Sequence, residues 1–508
     1  MKTFASIYIG SYEVTMKVFE ISTEKKLKEI DCLRANLDIL RDINTSGSVS
    51  LETTDRLCEI LSDMKKTMKM YRCDNYRIFA GFMLHTAANE LFVLEQIRIR
   101  VKLSVKLLSN SEHRFLGYEA VASQKDFKSI INEGAVIVDV GGASFQITLF
   151  DEGKVVTTQQ IMFGTYSLHQ SLINLGSMPD YQSQIPILVD KEIDVFIKMY
   201  LGDRKPKYMI IMGDRTTAAV QAGLDAYSRE FIETKTAEDI LKKFLKRTRK
   251  AINGEDFSID LTDNRHMEAL ILIHLEILKK LNTEYVMLPG ITVNDGIAYD
   301  YAYGEGLLRS PHDFENDVLS ACWSIAERYG SYEPHLLALE NFSLQIMDAM
   351  KKYHGLSKRH RLLMRCVCIL HDCGKYISIS EQADCSYAII ESSEILGLSH
   401  KERMMVATTV AFNRKELEPY EAMADRFSEE EYNVIVKLLA ILKVANAMDR
   451  SHKQKFKSVK MTLKNRQLII STESDSSAAL EKGMFRGKAN FFEQTFAIRP
   501  VIHEKRVI

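Results

Sequence analysis

Two stretches of the chain repeat one layout, in which a β-strand, a tight turn with glycine and a second β-strand follow one another. They read SIYIGSYEVTMKVF at residues 6–19 and AVIVDVGGASFQITLF at residues 135–150. A repeat of this kind predicts two similar lobes. Because small-molecule sites most often form in clefts between such lobes, the two turns are the first candidates for a binding site.

The length, composition and net charge are those of an ordinary globular protein. The chain has 508 residues, 46% hydrophobic and 27% charged, with a net charge of -1, so the net charge indicates no polyanionic partner. The start, MKTFASIYIG, lacks a signal-peptide pattern, and no stretch approaches the ~20 apolar residues of a membrane helix, so we expect a cytoplasmic location and no membrane partner. The eight cysteines are sparse and favour reduced core thiols over a zinc site.

The pattern along the chain predicts an α/β part followed by an all-α part. Short β-rich runs alternate with helical stretches up to about residue 305, and helices of 3.6-residue period follow. The last stretch alternates apolar and polar residues and predicts a small sheet. We expect four divisions: an N-terminal lobe at 1–130, a second lobe at 131–305, a helical domain at 306–455 and a small α/β segment at 456–508.

The second turn, VDVGGASF, carries residue types suited to a phosphate. Gly141 and Gly142 leave room for amide groups to converge on an anion, and Ser144 adds a hydroxyl donor. Asp139, at the end of the preceding strand, is placed to hold a divalent metal directly or through water. One such turn is usually only a hairpin and Asp139 only a turn former, but the repeat favours function.

These motifs resemble those of the exopolyphosphatase and guanosine pentaphosphate phosphatase (Ppx/GppA) family, within the actin, hexokinase and Hsp70-like superfamily. VIVDVGGASFQITLF resembles its second phosphate motif, and SIYIGSYEV its first. The further segments that carry the resemblance are AGFMLHTAAN, SNSEHRFLGYEAV, IMFGTYSL and LPGITVNDGI. LHDCGKYIS and VANAMDRSH are similar to the HD-like domain of longer members. The resemblance implies two actin/hexokinase-like (ribonuclease H-like) lobes, then an HD-like helical domain.

The resemblance also implies roles for particular residues. Glu112 would be the general base that deprotonates the attacking water. Without the resemblance, a solvated surface glutamate would be the favoured interpretation. Asp139 would hold Mg2+. The residues implied to cradle the terminal phosphates are Gly10, Ser11, Gly141, Gly142 and Ser144. The implied substrates are polyphosphate or a guanosine penta- or tetraphosphate, and cleavage of a phosphoanhydride depends mostly on positioning, charge neutralisation and one base.

Several polar positions depart from the family pattern, and each change removes charge or adds bulk. The substitutions are Tyr8 for Asp, Tyr12 for Asn, His85 for Arg, Gln146 for Glu, Asn294 for Arg and Ala143 for the third glycine. Because one preorganised charge in a phosphoryl-transfer site is worth several kcal/mol, these losses predict attenuated turnover. The alternative is an inactive member that binds polyphosphate or nucleotide as a sensor or scaffold.

The helical domain retains part of an HD-type metal site. His335, His371 and Asp372 are present, whereas Asn446 stands at the position of the final Asp, with Asp449 three residues on. Two imidazoles and two carboxylates can share a divalent ion, so the three residues are a candidate site. The other interpretation, which the neutral Asn446 favours, is that both histidines are hydrogen-bonded structural residues.

The basic runs at 241–250 and 450–466 could line a path along which a polyanion binds, although charge runs are usually solvated faces. No nucleic-acid-binding module accompanies them, so we expect no specific nucleic acid partner. Long helical faces in such architectures often pair, and we expect a homodimer.

Overall fold

The computed structural model describes residues 2–22, 26–142, 144–168, 181–213, 231–252, 264–474 and 476–506, together with the single residues Thr216 and Val220. The chain divides into two compact units, 1–313 and 314–508. Ala143 lies outside the described residues. In the part of the chain that is described, no helix combines the length and apolar character needed to cross a membrane.

The first sheet has five strands in the order β3-β2-β1-β4-β5. They are β1 (Lys2–Ile9), β2 (Glu13–Ile21), β3 (Leu27–Asn36), β4 (Asn75–Ala80) and β5 (Lys106–Leu107). The first three strands form an antiparallel meander, and β4 and β5 continue from β1 in parallel. Strand β1 is apolar on both sides, with Phe4, Ala5 and Ile7 fully buried, because helices cover both faces of a sheet with parallel strands.

The second sheet repeats this arrangement and adds one edge strand. Its order is β10-β11-β9-β6-β7-β8. The strands are β6 (Ala135–Val140), β7 (Phe145–Asp151), β8 (Lys154–Ile161), β9 (Tyr208–Ile211), β10 (Ile232–Glu233) and β11 (Tyr285–Met287). Strands β6 to β8 form the meander, and β9 and β11 extend it in parallel from β6. The predicted pair of actin-like lobes is therefore confirmed in the strand topology.

Helices flank both sheets, and two of them approach each other unusually closely. The described helices of this unit are α1 (Ile39–Ser46), α2 (Leu51–Met70), α3 (Phe82–His85), α4 (Glu90–Arg100), α5 (Asn110–Ala122), α6 (Phe127–Asn132), α7 (Tyr181–Phe196), α8 (Thr234–Ile252), α9 (Asn264–Leu281) and α10 (Val293–Gly304). Helix α10 packs on α5, and a Cβ atom at Gly296 would overlap the backbone of Leu116. Only glycine fits at this crossing, which fixes α5 beside the strand ends.

The C-terminal unit is a helical bundle followed by a three-stranded sheet, as the sequence pattern predicts. Its helices are α11 (Phe314–Arg328), α12 (Glu333–Ala349), α13 (Lys358–Leu370), α14 (Gln382–Ser392), α15 (His400–Phe412), α16 (Glu429–Met448) and α17 (Ala479–Phe496). The sheet contains β12 (Phe456–Lys464), β13 (Gln467–Ser474) and β14 (Arg499–Arg506). Helix α17 connects the parallel strands β13 and β14. The core of α16 is an unbroken buried run from Leu438 to Met448.

Candidate active site

A cleft of about 510 Å³ in the first unit is lined by the turns of both repeated hairpins. The sequence-predicted phosphate residues Gly10, Ser11, Gly141, Gly142 and Ser144 all line it. The structure therefore brings together two turns that are 130 residues apart in the chain, because each follows the first strand of its sheet.

The two turns have the same hydrogen bond and face each other. The amide of Gly10 donates to the carbonyl of Glu13 (2.8 Å), and the amide of Gly141 donates to that of Ser144 (2.9 Å). A Cβ atom at Gly142 would lie 3.5 Å from the ring of Tyr12. Among the described residues, the next amides, those of Ser11 and Gly142, have no intramolecular acceptor. These two amides are therefore available to bind an anion.

A third segment holds the second turn in place. The amide of Thr165 donates to the carbonyl of Gly141 (3.0 Å), and that of Tyr166 donates to the carbonyl of Gly142 (2.8 Å). A Cβ atom at Gly164 would lie 2.6 Å from the carbonyl oxygen of Gly141, so only glycine allows this approach. Gly164 belongs to the stretch IMFGTYSL, which resembles a family segment, but the motif alone predicted no role for this glycine.

Asp139 lies half-buried at the end of β6 and lines the cleft. Burial, and then the charge of Asp139, raise the pKa of Tyr8 well above its usual value, so that phenol is neutral at pH 7. Burial also lowers the pKa of His113 against the opposing charge of Asp139, which leaves a neutral imidazole beside the carboxylate. Mg2+ usually keeps several waters and takes one or two carboxylates, so Asp139 suits a magnesium ion in this cleft.

Arg114 is the cation that the sequence analysis missed. Its side chain is buried on α5, and one guanidinium nitrogen donates to Oγ of Ser144 (2.9 Å). Gln160 donates to the same oxygen (3.1 Å). Because the Ser144 hydroxyl accepts both bonds, its own proton is available for a phosphate oxygen. The only sequence signal was the position of Arg114 two residues after Glu112 in the quoted stretch.

Glu112 lies at the beginning of α5, where its carboxylate caps the helix. Oε2 accepts hydrogen bonds from the amide (2.9 Å) and the hydroxyl (2.8 Å) of Ser109, and Lys106 pairs with Oε1 (3.2 Å). Asn110, His113 and Arg114 line the cleft from this helix, whereas Glu112 does not. To act as the general base, the carboxylate would have to leave the cap.

Three of the substituted positions have hydrogen-bond partners within the fold. Asn294 is buried and its amide nitrogen donates to Oγ1 of Thr15 (2.5 Å). Gln146 is buried beside Thr148 (3.3 Å). His85 is exposed and contacts Glu90 (2.7 Å), outside the cleft lining. Neither Gln146 nor His85 lines the cleft. These two departures from the family pattern therefore alter the first unit outside the cleft.

Models of two known protein families match this chain. The model of the Ppx/GppA phosphatase family matches residues 18–304, more than half of the chain, and the model of Ppx/GppA phosphatase domain III matches residues 324–482. The chain belongs to the Ppx/GppA phosphatase family. The family assignment made from the motifs is thereby confirmed, and the helical unit is its domain III.

Solved structures of the Ppx/GppA family are also similar to this chain. An Aquifex aeolicus family member is 18% identical, with 61% of this chain and 99% of that chain covered and a TM-score of 0.49. An exopolyphosphatase from Cytophaga hutchinsonii is 14% identical, with 61% and 100% covered and a TM-score of 0.47.

Domain III of this Ppx/GppA member brings the three HD-type residues together. His335, His371 and Asp372 are buried, and one ligand atom from each lies within 4.8 Å of the others. Asp449 accepts a hydrogen bond from Nδ1 of His335 (2.8 Å), and Nε2 of the same ring is buried without a hydrogen-bond partner. Nε2 of His371 is buried and unpartnered as well. These two nitrogens suit a divalent metal.

The carboxylate of this cluster is already neutralised. Lys375 forms a short ion pair with Oδ2 of Asp372, and Gln382 donates to Oδ1 (2.9 Å). A divalent ion would have to displace the ammonium group or share the carboxylate with it. The two imidazoles of this cluster therefore suit a metal ion, whereas the carboxylate, already paired with Lys375, does not.

Proposed function

We propose that this protein hydrolyses phosphoanhydrides, releasing terminal phosphate from polyphosphate or guanosine pentaphosphate at the cleft of the first unit. The observation that carries the proposal is the pair of facing turns with the unpartnered amides of Ser11 and Gly142. Membership of the Ppx/GppA phosphatase family supports the reaction class.

Each group in the cleft has a task in this reaction. The two amides, the Ser144 hydroxyl and the Arg114 guanidinium would bind the oxygens of the terminal phosphate. Asp139 would hold Mg2+, which neutralises phosphate charge when bound. Hydrolysis also needs a base for the attacking water, and Glu112 could serve only after it releases the amide and hydroxyl of Ser109.

A second candidate function is binding without turnover. Two observations favour it: the cleft carries the neutral Tyr8 next to Asp139, and Asn294, at the position of a family arginine, is engaged with Thr15. A cleft with fewer charges still binds phosphate through amides but stabilises the transition state less. Attenuated hydrolysis and sensing differ only in the rate of phosphate release.

The test is release of inorganic phosphate from long-chain polyphosphate and from guanosine pentaphosphate with Mg2+. We expect release by the wild type, a loss of about 100-fold or more in Asp139→Asn, and no change in the control Asp151→Asn, which lies at the far end of the neighbouring strand. Glu112→Gln tests the base. If the wild type releases nothing yet binds polyphosphate in a salt-sensitive way, the protein is a sensor.

A further inference from the structure

The N-terminal end of α5 contributes three residues to the cleft and leaves one out of it. Asn110, His113 and Arg114 line the cleft. Helix geometry explains why Glu112 does not, because residues three and four positions apart share one face and a residue two positions on lies on another. Glu112 instead accepts hydrogen bonds from the amide and the hydroxyl of Ser109 (2.9 and 2.8 Å). The carboxylate that the family resemblance names as the base therefore lies outside the cleft lining.

His113 lies close to both phosphate turns. Its ring is beside that of Tyr8, with 5.3 Å between the ring centroids. The ring of Tyr8 in turn reaches the first turn, because a Cβ atom on Gly10 would lie 3.4 Å from its Cε1 atom. One residue further along α5, the guanidinium of Arg114 donates to Oγ of Ser144 in the second turn (2.9 Å). The imidazole is therefore near the place where the terminal phosphate is proposed to bind.

The imidazole of His113 is also free to accept a proton. Neither ring nitrogen has a hydrogen-bond partner among the described residues, and neither is completely buried. An ordinary imidazole, with a pKa of about 6.5, is mostly unprotonated above pH 7, so one nitrogen offers the lone pair that a base requires. By contrast, His85 contacts Glu90 outside the cleft, and His312 contacts Tyr118.

Four other ionisable groups that line the cleft are less suited to accept a proton. Asp139 is the proposed holder of Mg2+. The phenol of Tyr8 keeps its proton at pH 7, because burial raises its pKa well above the usual value. Lys17 is a charged ammonium group that forms ion pairs with two carboxylates (2.8 and 2.9 Å). Glu13 already has a partner. Of these candidates, His113 alone combines an open nitrogen with a place in the cleft.

We propose that His113, rather than Glu112, is the general base of this cleft, and this role rests on the hydrolysis proposed above. The unprotonated ring nitrogen removes a proton from a water molecule as the water oxygen attacks the terminal phosphorus. The bond from that phosphorus to the bridging oxygen breaks, and its electron pair stays on the bridging oxygen of the shortened chain. The imidazolium then returns its proton to solvent. Tyr8, at the position of a family aspartate, supplies the ring against which the imidazole packs.

Phosphate release from long-chain polyphosphate and from guanosine pentaphosphate with Mg2+ tests this role. We expect His113→Ala to lower kcat about 100- to 10,000-fold, the usual contribution of a general base, and Glu112→Gln to lower it less than about tenfold. Added imidazole should restore part of the rate of His113→Ala, because a free base can enter the space that the side chain leaves, and should not accelerate Glu112→Gln. The control His85→Ala removes an exposed histidine outside the cleft lining and should keep the wild-type rate.

Binding of an uncleavable ligand separates a base from a structural residue. Methylenediphosphonate carries two phosphonate groups joined by a P–C–P bond that a phosphatase does not cleave. In calorimetry with Mg2+, His113→Ala should bind it within about threefold of the wild-type affinity, because a base acts in the transition state and not on the bound ground state. If His113→Ala does not fold, His113→Gln, which keeps a polar side chain without a base, takes its place in the rate and binding measurements.

Three outcomes would overturn this role for His113. A wild type that releases phosphate, with full activity in His113→Ala and loss in Glu112→Gln, would return the base to Glu112 and leave the proposed hydrolysis intact. A parallel fall of rate and diphosphonate affinity in His113→Ala, without rescue by imidazole, would make His113 a binding or structural residue. A wild type that releases no phosphate from either substrate would overturn the proposed hydrolysis itself, and the role of His113 with it.

Discussion

The side chain of Tyr8 fills the space that a Cβ atom on Gly81 would need. Such a Cβ would overlap the Tyr8 hydroxyl and lie 3.3 Å from the ring carbon Cζ. The two residues are brought together because β1 and β4 pair in parallel, with Tyr8 opposite Phe79. A tyrosine where the family pattern has an aspartate is therefore matched by a glycine directly after the end of the neighbouring strand.

This match predicts a coupling between positions 8 and 81. Gly81→Ala should lower the free energy of unfolding by about 1–3 kcal/mol, because the ring of Tyr8 must move. In a Tyr8→Phe background the cost should be smaller, since the nearest atom is gone, and a double-mutant cycle from denaturant unfolding measures the difference. Gly304→Ala is the control: no atom lies within 4 Å of its Cβ, and it should be neutral or stabilising. Additive effects at 8 and 81 would contradict the match.

Arg114 should govern phosphate binding in the cleft. Arg114→Met is expected to weaken the Mg2+-dependent binding of methylenediphosphonate about 10- to 100-fold, since a hydrogen bond from a charged group is worth about 1.5–3 kcal/mol. Arg114→Lys should recover part of the loss, because the charge returns without the planar fork. Calorimetry with and without Mg2+ provides the measurement. The control is Arg98→Met, an exposed arginine paired with Glu95 on the same unit. Equal affinities in Arg114→Met and the control would exclude Arg114 from the site.

The sequence predicted what depends on neighbours in the chain. Two buried strands around a glycine turn were recognisable twice, so both sheets and the convergence of Gly10 with Gly141 followed. Partners from distant segments were not predictable: Arg114 reaches Ser144 30 residues away, and Asn294 reaches Thr15 across 279 residues. The capping role of Glu112 depends on Ser109, three residues earlier, and a capping box could have indicated it.

Glu119 should make stability depend on pH. It is buried on α5, and burial, followed by the charge of Asp300, raises its pKa to about 8. The folded state therefore holds a proton that the unfolded chain releases near pH 4.5. This stabilisation is full below that pH and is lost as the pH rises through about 8, by an amount on the order of 3 to 5 kcal/mol.

Glu119→Gln should remove this pH dependence. The variant should be more stable than the wild type at pH 9 and close to it at pH 4.5, because the amide resembles the protonated carboxyl. Denaturant unfolding across this pH range measures the change. Glu52→Gln on the exposed face of α2 serves as the control and should follow the wild type. A wild type whose stability does not fall between pH 5 and pH 9 relative to Glu119→Gln would contradict the raised pKa.

Lys375 should decide whether domain III takes a metal. Its ammonium group already balances Asp372, so we expect Zn2+ or Mn2+ to raise the melting temperature of the wild type little. In Lys375→Met the carboxylate is released beside the two unpartnered imidazole nitrogens, and the same ions should stabilise the variant by an amount that grows with the logarithm of their free concentration. Lys415→Met, which removes an exposed partner of Asp384, is the matched control. Chelation should return Lys375→Met to its metal-free melting temperature. Metal stabilisation of the wild type equal to that of the variant would mean that the ion displaces Lys375 unaided.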